Sequence, residues 1–168
     1  PVDKQAVYLA NIDRLLGRAL SQLDSEETSI SRGSFDRTWW CWKFTDFSAT
    51  RFQEGAYCIA WLATNKHVVL SDSQRKSLNE KFLATLHFWS ELQNNDGSFD
   101  EAYPNERSLA ATAFTSFYVG SALELMKNEI DISSKTLFFN TLKKACDWLS
   151  KNGEYHGILS NHLAAAAA

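Results

Sequence analysis

The segment Asn95-Asp96-Gly97-Ser98-Phe99-Asp100 stands between two apolar runs of helical spacing, and Arg32-Gly33-Ser34-Phe35-Asp36 echoes it 64 residues upstream. A looser echo, Asn152-Gly153-Glu154-Tyr155, follows 56 residues after the second. Each time a helix-like run ends, a glycine closely followed by an aromatic makes the turn, and a polar stretch leads into a run of small residues. A period of this kind predicts stacked helical hairpins, because one hairpin cannot bury its apolar face alone and a neighbour must cover it.

The periodicity between the turns agrees. Tyr8, Ile12, Leu16, Ala19 and Leu23 recur at three- and four-residue steps and predict a first helix over roughly residues 3-24. A second is marked by Phe52, Ala56, Ile59, Ala60 and Ala63. A third, entered through a cap at Ser71-Asp72-Ser73, carries Leu78, Phe82, Leu86, Trp89 and Leu92. The fourth holds Leu109, Ala113, Phe117 and Gly120. The fifth follows the cap-like Asp131-Ile132-Ser133 and carries Phe138, Leu142, Ala145 and Leu149, and the sixth opens at Ser160-Asn161. No window shows the alternation of a strand. The even-numbered helices are rich in small residues and the odd-numbered ones in bulky aliphatics and charge, as two layers demand when only the outer faces water. The expected fold is therefore all-α: an α/α toroid, or a partial ring, of about three repeated helical hairpins forming one domain over residues 1-168. Segments 31-51 and 94-107 should converge on one rim.

Composition narrows the function classes. The net charge of -3, from 17 Lys and Arg against 20 Asp and Glu, disfavours a nucleic-acid partner. The three cysteines, Cys41, Cys58 and Cys146, share no CxxC spacing and predict free thiols rather than disulfides or a thiolate zinc site. Ser108 to Leu123, the longest uncharged run, is too short for a membrane span. No signal pattern opens the chain, which favours a cytoplasmic location, although Pro1 is not a native start. The closing Ala164 to Ala168 reads as a helix in mid-course, so a longer parent protein is expected.

Three resemblances follow from these residues. Gln93-Asn94-Asn95-Asp96-Gly97-Ser98-Phe99 resembles the Gln-x-x-Asp-Gly-Ser-aromatic turn of terpenoid-cyclase and prenyltransferase toroids. Ser160-Asn161-His162-Leu163-Ala164 resembles the Asn-His helix start of heparinase II/III-type polysaccharide lyases. The block from Phe35-Asp36-Arg37 through Trp39-Trp40-Cys41-Trp42-Lys43 to Asp46-Phe47, with Arg51-Phe52-Gln53-Glu54, is similar to uncharacterised toroid proteins encoded among bacterial polysaccharide genes. Together these patches cover roughly half the chain, and none marks one reaction.

The lyase resemblance implies Asn161 as neutraliser of a substrate carboxylate and His162 as its neighbour and base. Elimination at a uronate needs that neutralisation, a base for the adjacent C-H and an acid for the leaving oxygen. Chemistry and position, rather than a family motif, add Tyr103 as acid/base and Arg107 as a cationic clamp. Each has a structural counterpart: Asn161 as an N-cap, Arg107 as an ion-pair partner of Glu106, Tyr103 as loop packing. Trp39, Trp40 and Trp42, with Arg37 nearby, form either a stacking platform for sugar rings or a plug on the helical ring. In an extended segment Trp40 and Trp42 would face one way and Trp39 the other.

Asp96, Asp100, Glu101 and Glu106 suit glycosidase or cyclase acid chemistry, yet Asp96 before Gly97 is what a turn wants and no Asp-Asp-x-x-Asp is present. His67, His87, His156 and His162 lack the spacing of a zinc pair, so no metal is expected. No nucleotide-binding or nucleophile-elbow motif occurs, and no cofactor is expected. The leading expectation is acidic-polysaccharide processing by β-elimination or a related proton abstraction. The alternatives are a noncatalytic glycan-binding or assembly module and a terpenoid-cyclase-like enzyme. Three hairpins are about half of a closed ring, so the expected partners are an acidic polysaccharide or oligosaccharide and either a second copy or the remainder of a parent chain.

Overall fold

The computed structural model describes residues 4-154 and 160-168. Its helices are α1 (Lys4–Leu20), a single turn α2 (Arg37–Trp40), α3 (Gly55–Thr64) entered through a 3-10 turn at Thr50–Glu54, α4 (Asp72–Glu91), α5 (Leu109–Leu125), α6 (Ile132–Leu149) and α7 (Ser160–Ala167). Among the described residues the sole strand-type pairing is an isolated bridge between Phe99 and Ser108. The fold is all-α. No helix among them is long and apolar enough to cross a membrane.

The caps follow the sequence. Ser71 accepts the Gln74 N–H while the Gln74 side chain returns to the Ser71 N–H, a reciprocal box that starts α4. Asp131 accepts the Ser134 N–H and starts α6. Serine and aspartate do this because their short side-chain oxygens reach amides that have no partner inside the helix. Helix α1 stops at Leu20, earlier than its apolar spacing predicts, because Ser21 to Asp24 turn the chain so that the buried Leu23 joins the core.

Helix α5 packs between α3 and α7, while α4 lies against α3, and α6 against α4 and α5. The small residues of α5 make that crowding possible: Ala110, Ala111, Thr112, Ala113, Thr115, Ser116, Val119 and Ala122 are all buried. Its two buried threonines nearest the second turn are satisfied locally, whereas the buried Ser116 hydroxyl has no hydrogen-bond partner among the described residues. Thr112 and Thr115 donate to the carbonyls of Ser108 and Ala111 and accept from the Phe99 N–H and the Trp89 indole. Trp89 stacks on Phe99 at 5.0 Å, so the aromatic of the second turn is locked to α4. The core runs on through Phe82, Leu86, Ile59 and Phe138.

The glycine turns do more than reverse the chain. Gly33 and Gly97 have φ of 93° and 99°, where an L side chain is strained. A Cβ on either would also lie under 3.0 Å from a backbone carbonyl of the following outer helix, that of Ala84 for Gly33 and Lys144 for Gly97. Glutamines complete the docking: Gln53 donates to Gly33 O and Thr85 O, and Gln93 to Gly97 O and Thr141 O. Each turn is thereby pinned to the hairpin that follows it. Gly153, in the third echo, has nothing within 4 Å of a Cβ position among the described residues. Tyr155 of that echo lies outside the described residues, as does His156.

Candidate functional site

The segments expected to share a rim do meet, through Thr50 N–H donating to Asp100 O at 3.1 Å. Around that junction the entries to α3, α5 and α7 bring together side chains distant in sequence. Arg51, in the 3-10 turn before α3, lies with its guanidinium 4.2 Å over the ring of Phe114 in the second turn of α5. His162, in the first turn of α7, meets the same ring edge-on at 6.1 Å and 89°. Phe114 is the wall that His162 and Arg51 share.

His162 is held by more than the ring. Its Nδ1 and Glu154 Oε2 are 2.5 Å apart, and the Glu154 side chain is only 5% exposed. A carboxylate accepting Nδ1–H fixes the tautomer that leaves a lone pair on Nε2. Among the described residues Nε2 has no hydrogen-bond partner. Glu154 also lines a cavity of about 290 Å³ with Asp96, Glu106, Arg107, Trp148 and Asn152. Glu154 of the dyad thus lines a polar hollow, and His162 meets the ring over which Arg51 lies.

Charges around the hollow are paired. Arg107 Nε lies 3.1 Å from Asp96 Oδ2, with its side chain 62% exposed, and Arg51 binds Glu54 and stands 3.7 Å from Glu101. Burial pushes the Asp96 carboxyl upward, but the Ser98 hydroxyl and amide together with the Arg107 charge outweigh it and hold it below the ordinary carboxylate value. Asn105 and Arg107 adopt left-handed φ of 63° and 56°, and Asp100 accepts the N–H of both. Arg107 therefore pairs with Asp96, and not with Glu106, whose carboxylate instead receives the N–H groups of Glu101 and Ala102.

The other sequence candidates are placed as follows. Asn161 is exposed beside His162 in the first turn of α7, one residue inside the helix start rather than before it. Tyr103 is 52% exposed on the loop that carries Arg107. Trp39, Trp40 and Trp42 gather elsewhere. The Trp40 indole donates to Gln22 O just beyond α1, and Trp39 packs on Phe88 of α4 at 5.7 Å. The segment is a helical turn and not extended, because Asp36 caps it by accepting the Thr38 and Trp39 N–H groups. Trp40 and Trp42 nevertheless share one partner: Arg37 lies 6.0 Å and 5.4 Å over their rings and donates to Ser21 O. Arg37 thus braces the tryptophans against the end of α1. No hydrogen bond or ring contact joins Trp40, Tyr103 and Asn161 to one another among the described residues.

Glu154 and Phe114 are not marked as site residues by the sequence, and Arg51 reads there only as one charge of a locally positive stretch with Arg32, Arg37 and Lys43. Glu154 sits within the third echo, directly after its glycine, which was the one available signal; Phe114 reads only as core. Among the described residues, no group of three His, Cys, Asp or Glu side chains is placed to hold a metal ion. Comparison of the chain with protein-family models, with curated proteins and with solved structures finds no match.

Proposed function

We propose that the chain is part of an α/α toroid of about three hairpins whose rim processes an acidic polysaccharide, with His162 abstracting a proton in a lyase-type β-elimination. The observation that carries this reading is the buried Glu154 carboxylate on His162 Nδ1, which leaves Nε2 as acceptor beside the Arg51–Phe114 pair. In the step, Nε2 takes the proton from the carbon bearing the uronate carboxylate. The electron pair forms a C=C bond to the neighbouring carbon as its C–O bond breaks, and Tyr103 protonates the departing oxygen. Asn161 and Arg107 neutralise the carboxylate, which makes the C–H acidic. The Arg107–Asp96 pair is an exposed one, a type contributing only about 0–1 kcal/mol, so a substrate carboxylate can replace Asp96 at small cost.

The test is to screen polyuronates with the full chain, reading the absorbance of the conjugated double bond. His162→Gln should lower kcat by about 100-fold or more and Glu154→Gln by about 10-fold or more, with glycan binding retained. Turnover unchanged in His162→Gln would end this reading. A second reading, noncatalytic glycan binding, is favoured by the pair Trp42 and Phe44, which are 51% and 76% exposed with ring centroids 5.8 Å apart and Arg37 over Trp42. Loss of binding on Trp42→Ala, without any turnover in the unaltered chain, would select it.

A further inference from the structure

Neighbouring hydroxyls of α5 are treated differently. Thr112 and Thr115 return theirs to the carbonyls of Ser108 and Ala111, four residues back, whereas the Ser116 hydroxyl is buried with no hydrogen-bond partner among the described residues. The residue is only 6% exposed. A serine inside a helix has the same carbonyl within reach, and a buried polar atom is rarely left unpaired, so this hydroxyl is kept for a partner from outside the chain.

Ser116 stands in the wall of a groove of about 530 Å³ that follows α5 from Ala113 to Leu125. Twelve residues of helix rise by about 18 Å, so the groove is elongated. Its volume is that of a small-molecule site and far exceeds the roughly 30 Å³ share of one water. Ala113 and Gly120 leave room on α5, while Tyr57 of α3, Leu142 and Leu149 of α6 and Ala165 of α7 close the sides. No cation lines it among the described residues. Its one carboxylate, Glu124, has a side chain 72% exposed and paired with Lys127, which places that charge at the mouth. Cys146 adds a neutral sulfur, because burial and then the Asp147 charge hold its thiol above the ordinary value.

We propose that this groove binds a neutral, chain-like lipid carrying one carbonyl oxygen, which accepts the Ser116 hydroxyl. The apolar walls take the chain, the single donor sets its depth, and the lack of a cation together with Glu124 at the mouth turns away a fatty-acid anion. The occupant lies within the joint between α5, α6 and α7. None of His162, Glu154, Arg51 and Arg107 lines the groove, so the inference stands apart from the elimination reading.

Isothermal titration calorimetry of the full chain with methyl octyl ketone and with decanoate tests this, beside Ser116→Ala and the groove-filling Ala165→Phe, with helicity checked by circular dichroism. The ketone should bind once per chain, and decanoate about tenfold or more weakly. Ser116→Ala should weaken the ketone by about tenfold, yet without ligand it should unfold at no lower temperature, because an unpaired buried hydroxyl has been removed. Ala165→Phe should abolish binding. An unaltered chain that takes up no ketone up to its solubility limit overturns the proposal. So does equal affinity for the two probes, or ketone affinity unchanged in either variant. Destabilisation of ligand-free Ser116→Ala overturns it as well, since the hydroxyl would then already have its partner.

Discussion

The Gly33 and Gly97 turns close the same hydrogen-bonded frame around loops of different length. In the second, Asn94 N–H donates to Ser98 O and Gly97 N–H to Asn94 O, both at 2.9 Å. In the first, Asp24 N–H donates to Ser34 O at 2.9 Å and Gly33 N–H to Asp24 O at 2.8 Å, with six more residues enclosed. The longer loop is organised by a carboxylate: Asp24 Oδ2 accepts the hydroxyls of Ser29 and Ser31, each at 2.6 Å. In the short loop a carboxylate inside the turn serves instead, Asp96 accepting the Ser98 hydroxyl and N–H, while the Asn94 amide donates to Ser98 and Asp100. Loop length is thus free to vary, while the glycine against the next helix and the two frame bonds are not.

The largest effect should come from filling the glycine positions. Gly33→Ala and Gly97→Ala each combine an unfavourable φ with a backbone clash and should lower stability in urea unfolding by about 2–4 kcal/mol. Gly153→Ala should stay within about 0.5 kcal/mol, since a Cβ there meets no described residue. Equal losses at all three would break the distinction between docked and undocked turns.

The glutamines sharpen it further. Gln53 is fully buried and also accepts the Phe35 N–H, so Gln53→Ala strands three backbone groups and should cost about 2–3 kcal/mol. Gln93 is half-buried and makes two such bonds, so Gln93→Ala should cost about 1–2 kcal/mol. A reversed order would mean that the second turn, and not the first, depends more on its glutamine.

The smallest effect is that of acid. Burial pushes Asp24 upward, but Ser29, Ser31, the Glu26 N–H and the Lys43 charge outweigh it, and its folded pKa lies below the ordinary value. A carboxylate depressed on folding contributes stability above its unfolded pKa and loses it as pH falls through the folded one. Asp24→Asn should therefore flatten the loss of stability below about pH 4. Asp96→Asn should do so less, because that carboxylate is 35% exposed. Thermal unfolding across the acid range, with each variant beside the unaltered chain, reads the difference.

Much of the scaffold was legible in the sequence. Apolar spacing predicts α1, α3, α4, α5 and α6, the Ser160-Asn161 opening predicts α7, and Ser71 and Asp131 mark the starts of α4 and α6 because capping is a local bond. The alternation of Trp40 and Trp42 against Trp39 holds only for an extended segment, and Asp36 coils this one into a helical turn. The candidate site was half legible. His162 comes from the lyase resemblance and Arg107 from chemistry and position. The grouping of Glu154, Phe114 and Arg51 depends on three helix entries stacking side by side, and no local pattern encodes that.

Since each docked glycine turn rests on the hairpin that comes after it, the molecule has a direction built into its assembly. On a ribosome the first hairpin can emerge in full and still lack its clasp until α4 has been made, and the second must wait for α6. Growth at one end fastens what was already there, whereas trimming at the other unfastens nothing. A cut near the C-terminal end should loosen its predecessor; one near the start should leave the later clasps closed.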